Sequence, residues 1–145
     1  MKALLKTLLV IAVVLPRAAV AEIITCPERF PSAEIRLPEG QTGRQGTARL
    51  LSARLSGAYM VSGDLYAEQE FIPDIKKVPG GHDITYSFPG NGRWLVCEYG
   101  GSARLAGSVQ WWDKLNPRFT ECELKLRETR LQHAESKWSA TANCK

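Results

Sequence analysis

Arg93-Trp94-Leu95-Val96-Cys97-Glu98-Tyr99-Gly100-Gly101 is the most constrained run in the chain. It packs a tryptophan, a tyrosine, a valine and one of the four cysteines into one short segment, and paired glycines close it. Aromatic and β-branched residues suit a pleated, half-buried surface, so the run reads as a central strand. Its cysteine is expected to tie it to another part of the chain by a disulfide.

Working outward, Ile84, Tyr86 and Phe88 alternate with Asp83, Thr85 and Ser87, and Pro89-Gly90-Asn91-Gly92 follows. Period-two alternation ending in a Pro/Gly/Asn cluster predicts a hairpin with the 93–99 strand. On the other side, Gly100-Gly101 turns the chain into a strand over 103–110, where Leu105 and Val109 share a face. Trp111-Trp112-Asp113-Lys114-Leu115-Asn116-Pro117 reads as a loop carrying two large aromatics.

The C-terminal part supplies a register. Cys122, Leu124 and Leu126 alternate with Glu121, Glu123, Lys125 and Arg127, and Trp138, Ala140, Ala142 and Cys144 alternate with Ser139, Thr141 and Asn143. Folded back antiparallel, the two segments place Cys122 opposite Cys144, Leu124 opposite Ala142, Leu126 opposite Ala140 and Glu128 opposite Trp138. A slip of one residue would turn a buried face to solvent. The register favours Cys122–Cys144, which leaves Cys26–Cys97; the rival is Cys97–Cys122 with Cys26–Cys144. Between these segments Leu131, Ala134 and Trp138 allow a helical turn.

Towards the N-terminus, residues 22–26 and 33–37 are short β-prone pieces punctuated by Pro27, Pro31 and Pro38. Residues 39–47 read as a loop. Residues 48–55 read as one strand with Leu51, Ala53 and Leu55 on a single face. Residues 56–81 read as an irregular connection with at most one helical turn, from an Asp64 cap, because Pro73 and Pro79 forbid a long helix.

Residues 1–21 have the pattern of an export signal. Lys2 and Lys6 precede an apolar run over 8–15, and Ala19-Val20-Ala21 is a small-x-small cleavage site. The apolar run is well short of the ~20 residues needed to cross a bilayer. The expected mature chain is one domain over 22–145, without a transmembrane anchor, periplasmic or secreted. The whole chain has 19 Lys+Arg and 15 Asp+Glu. The leader takes Lys2, Lys6 and Arg17, leaving 16 against 15, so net charge gives no support to nucleic-acid binding. All four cysteines lie in the exported part, and an even count there reads as two disulfides. The fold class is all-β: a small antiparallel meander or sandwich of six to eight strands with two disulfides.

Thr25-Cys26-Pro27, Leu55-Ser56-Gly57, Ile72-Pro73-Asp74 and Trp94-Leu95-Val96-Cys97-Glu98-Tyr99-Gly100 follow the leader in order, with Cys122 and Cys144 behind them. In this the chain resembles a functionally uncharacterised family of small exported four-cysteine proteins of Gram-negative bacteria, whose most specific element is the Trp-Leu-x-Cys-x-Tyr core. The resemblance implies localisation and a four-cysteine frame, and brings no catalytic residues. Ser56-Gly57-Ala58-Tyr59 and Trp111-Trp112-Asp113-Lys114 also resemble loop motifs of periplasmic lysozyme inhibitors, the second without a Lys-Gly ending.

Chemistry is sparse. His82 and His133 have no metal-ligand spacing, and no cofactor is expected. His82 and Asp83 would point to opposite faces of a strand, and no G-x-S-x-G elbow accompanies them. Glu68 and Glu70, or Glu121 and Glu123, read as solubilising charge. Trp111 and Trp112 beside Lys114 and Arg118 form the one cluster suited to recognition, since Trp and Arg are favoured at binding hot spots. Alternation is expected to bury one indole and expose the other. The expected function is a periplasmic binding or interaction module without catalysis, with an unknown protein or envelope component as partner. The alternative is an inhibitor of a hydrolase such as lysozyme, and a small periplasmic hydrolase comes third.

Overall fold

The computed structural model describes residues 21–37, 46–66, 72–90, 92–101, 108–130 and 136–145. The alternation that sets the C-terminal register is realised. Strands β10 (Glu121–Thr129) and β11 (Lys137–Cys144) pair antiparallel, with Cys122 opposite Cys144, Leu124 opposite Ala142, Leu126 opposite Ala140 and Glu128 opposite Trp138. Glu121 and Lys145 exchange both backbone hydrogen bonds, so the neighbouring Cys122–Cys144 pair is the close, non-hydrogen-bonded kind. Its Cα atoms lie 4.1 Å apart and the two cysteines form a disulfide.

All pairings are antiparallel. β1 (Glu22–Thr25), β11, β10, β7 (Gly81–Ser87) and β6 (Asp74–Val78) make a five-stranded sheet in that order. β2 (Arg29–Phe30), β5 (Ala53–Ser62), β8 (Arg93–Tyr99) and β9 (Val109–Lys114) make a four-stranded one. A two-stranded ribbon, β3 (Ala33–Leu37) and β4 (Gly46–Leu50), stands apart from both. The described residues contain no helix, so none is long and apolar enough to cross a membrane.

The inner faces of the two larger sheets form one core. Leu55, Met60, Leu95 and Tyr99 meet Ile84, Tyr86, Leu124, Ala140 and Ala142 there, as the two inner faces of a sandwich do. The second disulfide joins the sheets. Cys26 follows β1, with its N–H donating to the Ala140 carbonyl, and bonds to Cys97 in the centre of β8. Both cysteines are buried, and two disulfides fit an oxidising compartment.

Several expectations are corrected. The hairpin between the 83–88 and 93–99 segments does not form: β7 pairs with β6 and β10, and β8 with β5 and β9. The turn carries the chain from one sheet to the other. Gly92 sits at φ +80°, and a Cβ there would collide with the Gly63 carbonyl. Only glycine permits that approach, and it seats β8 beside β5 while both edges of β7 are taken.

The strand expected over 48–55 breaks at Leu51-Ser52, and Leu51 is 74 % exposed. The irregular connection expected from residue 56 is largely strand, since β5 continues to Ser62 and β6 follows. A bulge between Leu55 and Gly57 shifts the inward phase from Leu55 to Ala58 and Met60. β4 begins at Gly46, inside the expected loop, and 111–114 belong to β9 rather than to a loop. Leu65 and Tyr66 are in a turn, while the rest of the Asp64-capped segment, the helical turn near 131–134, Leu105, Glu68, Glu70 and His133 lie outside the described residues. Eleven strands are present among the described residues, above the expected six to eight.

Candidate functional site: an aromatic outer face

The outer faces of the two large sheets differ in kind. On the three middle strands of the five-stranded sheet, β11, β10 and β7, the outward positions are Asp83, Thr85, Glu123, Lys125, Arg127, Ser139, Thr141 and Asn143, the ordinary solvent face of an antiparallel sheet. Lys125 pairs with Glu123 at 3.4 Å, and Arg127 pairs with Asp83.

The four-stranded sheet presents rings instead. Cys97 must face the core to reach Cys26, so Trp94, Val96 and Glu98 face outward on β8. Across the ladder Val96 lies opposite Tyr59 on one side and Trp112 on the other, and Trp94 lies opposite Val61 and Lys114. Val61 and Val96 are buried, yet neither belongs to the inter-sheet core. They are covered from the outside, by a second apolar layer.

The layer is held by contacts among its own rings. Trp94 and Trp112 meet edge to face at 6.4 Å, and Tyr66 meets Trp112 at 5.5 Å. Lys114 Nζ lies 5.8 Å from the Trp94 ring centre, within cation–π range. The polar tips are anchored as well: Trp94 Nε1 donates to the Gly63 carbonyl at 3.1 Å and Trp112 Nε1 to Gln110 Oε1 at 3.3 Å. The Gln110 amide in turn donates to the Tyr59 hydroxyl at 2.9 Å. Tyr66, the one non-glycine residue at positive φ (+66°) among the described residues, is 73 % exposed. A bulky residue in that conformation is uncommon, and Tyr66 adopts it in the turn that follows β5.

The expected cluster is therefore divided. Trp111 and Trp112 point to opposite faces of β9, and Trp112 and Lys114 belong to the aromatic layer. Trp111 lies at the rim of the core side, edge to face with Phe30 at 5.9 Å, and stays 41 % exposed. Arg118 is exposed in the following turn, where its backbone N–H donates to Asn116 Oδ1 at 3.0 Å, and no described contact links it to the rings. Tyr66, Trp94 and Gln110 were not anticipated as site residues, and Tyr59 was singled out only within the Ser56-Gly57-Ala58-Tyr59 motif. The phase of Trp94 relative to Cys97 was the available signal, because a cysteine bonded through the core turns its odd-spaced neighbours outward.

Elsewhere the polar groups serve the fold. Arg93 is buried on the inner face at the end of β8, donating to the carbonyls of Pro117 and Phe88 and lying over the Phe88 ring. It closes that end of the sandwich. The Tyr99 hydroxyl donates to the Pro27 carbonyl at 3.0 Å. Burial raises the Tyr99 pKa, with the Asp113 charge adding to it, and burial raises that of Tyr86. Asp83 is engaged by Arg127, on the opposite face of β7 from the side chain of His82. Among the described residues no three His, Cys, Asp or Glu side chains converge as metal ligands would.

Comparison with family models, with curated proteins and with solved structures returned no match for this chain.

Proposed function

We propose that the chain is an exported binding module of the cell envelope, without catalysis, that uses the outer face of its four-stranded sheet to hold a saccharide. The carrying observation is the ring layer of Tyr59, Trp94, Trp112 and Tyr66 on the side of the sheet away from the core. Aromatic rings bury apolar area while their polar tips stay hydrogen-bonded, which suits a surface that is apolar in part and wet in part. Gln110, Lys114 and Glu98 share this face and supply donors and acceptors beside the rings, as sugar hydroxyls require. The leader pattern and the disulfides support a periplasmic setting, where such ligands are found.

The test is co-sedimentation of the mature protein with purified peptidoglycan sacculi. The wild type and Trp111→Ala are expected to pellet, while Trp94→Ala and Trp112→Ala remain in the supernatant. Failure of the wild type to pellet, or equal loss in Trp111→Ala, would count against the reading.

A second reading, inhibition of a hydrolase such as lysozyme, has one observation in its favour. Tyr59 and Trp112, from the two inhibitor-like motifs, flank Val96 on the same face. It predicts stoichiometric inhibition of lysozyme that weakens in Tyr59→Ala and Trp112→Ala; an uninhibited enzyme at excess protein rejects it.

A further inference from the structure

At the end of the sandwich where β5 begins, an open cleft of ≈ 650 Å³ is lined by Arg29, Arg54, Ser52, Ser136, Gly101 and Trp138, among others. That volume is in the range of small-molecule sites. We infer that this cleft binds a phosphorylated saccharide, with the two guanidiniums on the phosphate and the Trp138 indole beside the sugar.

The two arginines carry the argument. Arg29 and Arg54 are direct cross-strand partners in the β2–β5 ladder, so their side chains leave the same face side by side. Like charges directly opposite each other destabilise a strand pair. Among the described residues no Asp or Glu lines the cleft, and neither guanidinium has an ion pair or a side-chain hydrogen bond. Glu28 precedes Arg29 and feels both charges, but its hydrogen bond and its larger charge partner are Lys137, at 2.9 Å. The pair is left facing an open cavity.

The ligand class follows from charge and shape. A phosphomonoester carries about −1.5 to −2 at neutral pH, enough for two guanidiniums, whereas one carboxylate would leave a like-charge excess. Planar guanidinium forks match phosphate oxygens in bidentate geometry. The Ser56 hydroxyl is committed to the Glu98 and Gly101 carbonyls, at 3.1 and 2.9 Å, and shapes the wall. Ser52 and Ser136 make no such described bond and can meet sugar or phosphate oxygens. A bare phosphate would leave most of the cleft empty, with the Trp138 wall without a partner.

The test uses isotope-labelled mature protein titrated with N-acetylglucosamine 1-phosphate, inorganic phosphate and N-acetylglucosamine, followed by NMR and calorimetry. The sugar phosphate is expected to bind saturably and to shift the Gly101 amide and the Trp138 indole N–H. Inorganic phosphate should bind at least about tenfold more weakly, and the neutral sugar should leave those two signals unmoved. Arg29→Gln and Arg54→Gln should each weaken sugar-phosphate binding by about tenfold or more, the scale of a lost charge-assisted bond. Each should also raise the unfolding temperature of the unliganded protein at low salt, because the repulsion is relieved. Arg54→Lys, which keeps the charge and loses the fork, should weaken binding too and serves if a glutamine variant fails to fold. The inference is overturned by no saturable sugar-phosphate binding at millimolar concentration, by equal affinity for inorganic phosphate, or by unchanged affinity in the Arg54 variants. It is independent of the aromatic face, whose saccharide reading is tested by uncharged probes on Trp94 and Trp112.

Discussion

Removing the two disulfides one at a time separates their roles. Cys26 and Cys97 are 71 residues apart and Cys122 and Cys144 are 22 apart. Loop-closure entropy in the unfolded chain then makes the first worth ~4.4 kcal/mol and the second ~3.4 kcal/mol. The first bond also joins the two sheets across the core, whereas the second crosses a β10–β11 ladder already held by backbone pairing. Cys26→Ala/Cys97→Ala should therefore be the more damaging double substitution. With a urea slope of ~1.5 kcal/mol/M for a domain of this size, the midpoints should fall by about 3 M and about 2 M. The assay is equilibrium urea unfolding of the mature protein under non-reducing conditions, followed by tryptophan fluorescence. If Cys122→Ala/Cys144→Ala proved the more costly, the loop-entropy argument would fail. The intra-sheet bond would then be supplying native-state energy not visible in its place in the ladder.

Further outcomes follow from single side chains. Arg93→Ala removes the donors to the Pro117 and Phe88 carbonyls and should cost about 2–3 kcal/mol in chemical denaturation, the scale of charge-assisted buried bonds. Gly92→Ala forces a Cβ against the Gly63 carbonyl at positive φ and should destabilise the fold by more than ~1 kcal/mol, measured in the same way. Alkaline pH should weaken the fold. Tyr86 and Tyr99 have folded pKa values raised above their ordinary 10.0, so unfolded tyrosines ionise first. The stability they contribute is complete below that value and is lost as pH rises through the raised folded values, as thermal unfolding across pH 9 to 12 would show. Trp112→Ala strips cover from Val96 and should cost ~1–2 kcal/mol, less than a fully buried tryptophan. Its far-ultraviolet circular dichroism should stay native.

The C-terminal ladder and both disulfides were legible because polar and apolar residues alternate without interruption from Glu121 to Arg127 and from Trp138 to Cys144. One register alone buries Leu124, Ala142 and both cysteines together. β5 was not legible past Leu55. The bulge at Ser56 breaks the alternation, and Ser56-Gly57-Ala58 offers no bulk by which to recover the phase. The hairpin from β7 to β8 was misjudged because a short Pro/Gly/Asn turn serves equally for pairing and for crossing between sheets; the choice depends on the partners β5, β6 and β10, which are distant in sequence. At the site, Asn116-Pro117 drew the loop boundary too far back, hiding the strand character of Trp111 and Trp112. Trp94 was absorbed into a core strand although Cys97, three residues on, settles its outward phase. Tyr59 and Tyr66 reach the same surface only through the β5–β8 pairing and a turn, which no local pattern announces.

The outer-face account is tested most directly through the indole N–H signals of the four tryptophans during titration with uncharged N-acetylglucosamine oligomers. Trp94 and Trp112 should shift together and saturably, with Trp111 and Trp138 unmoved. Shifts centred on Trp111, or no shift at any indole at saturating oligomer, would contradict a saccharide-binding aromatic face.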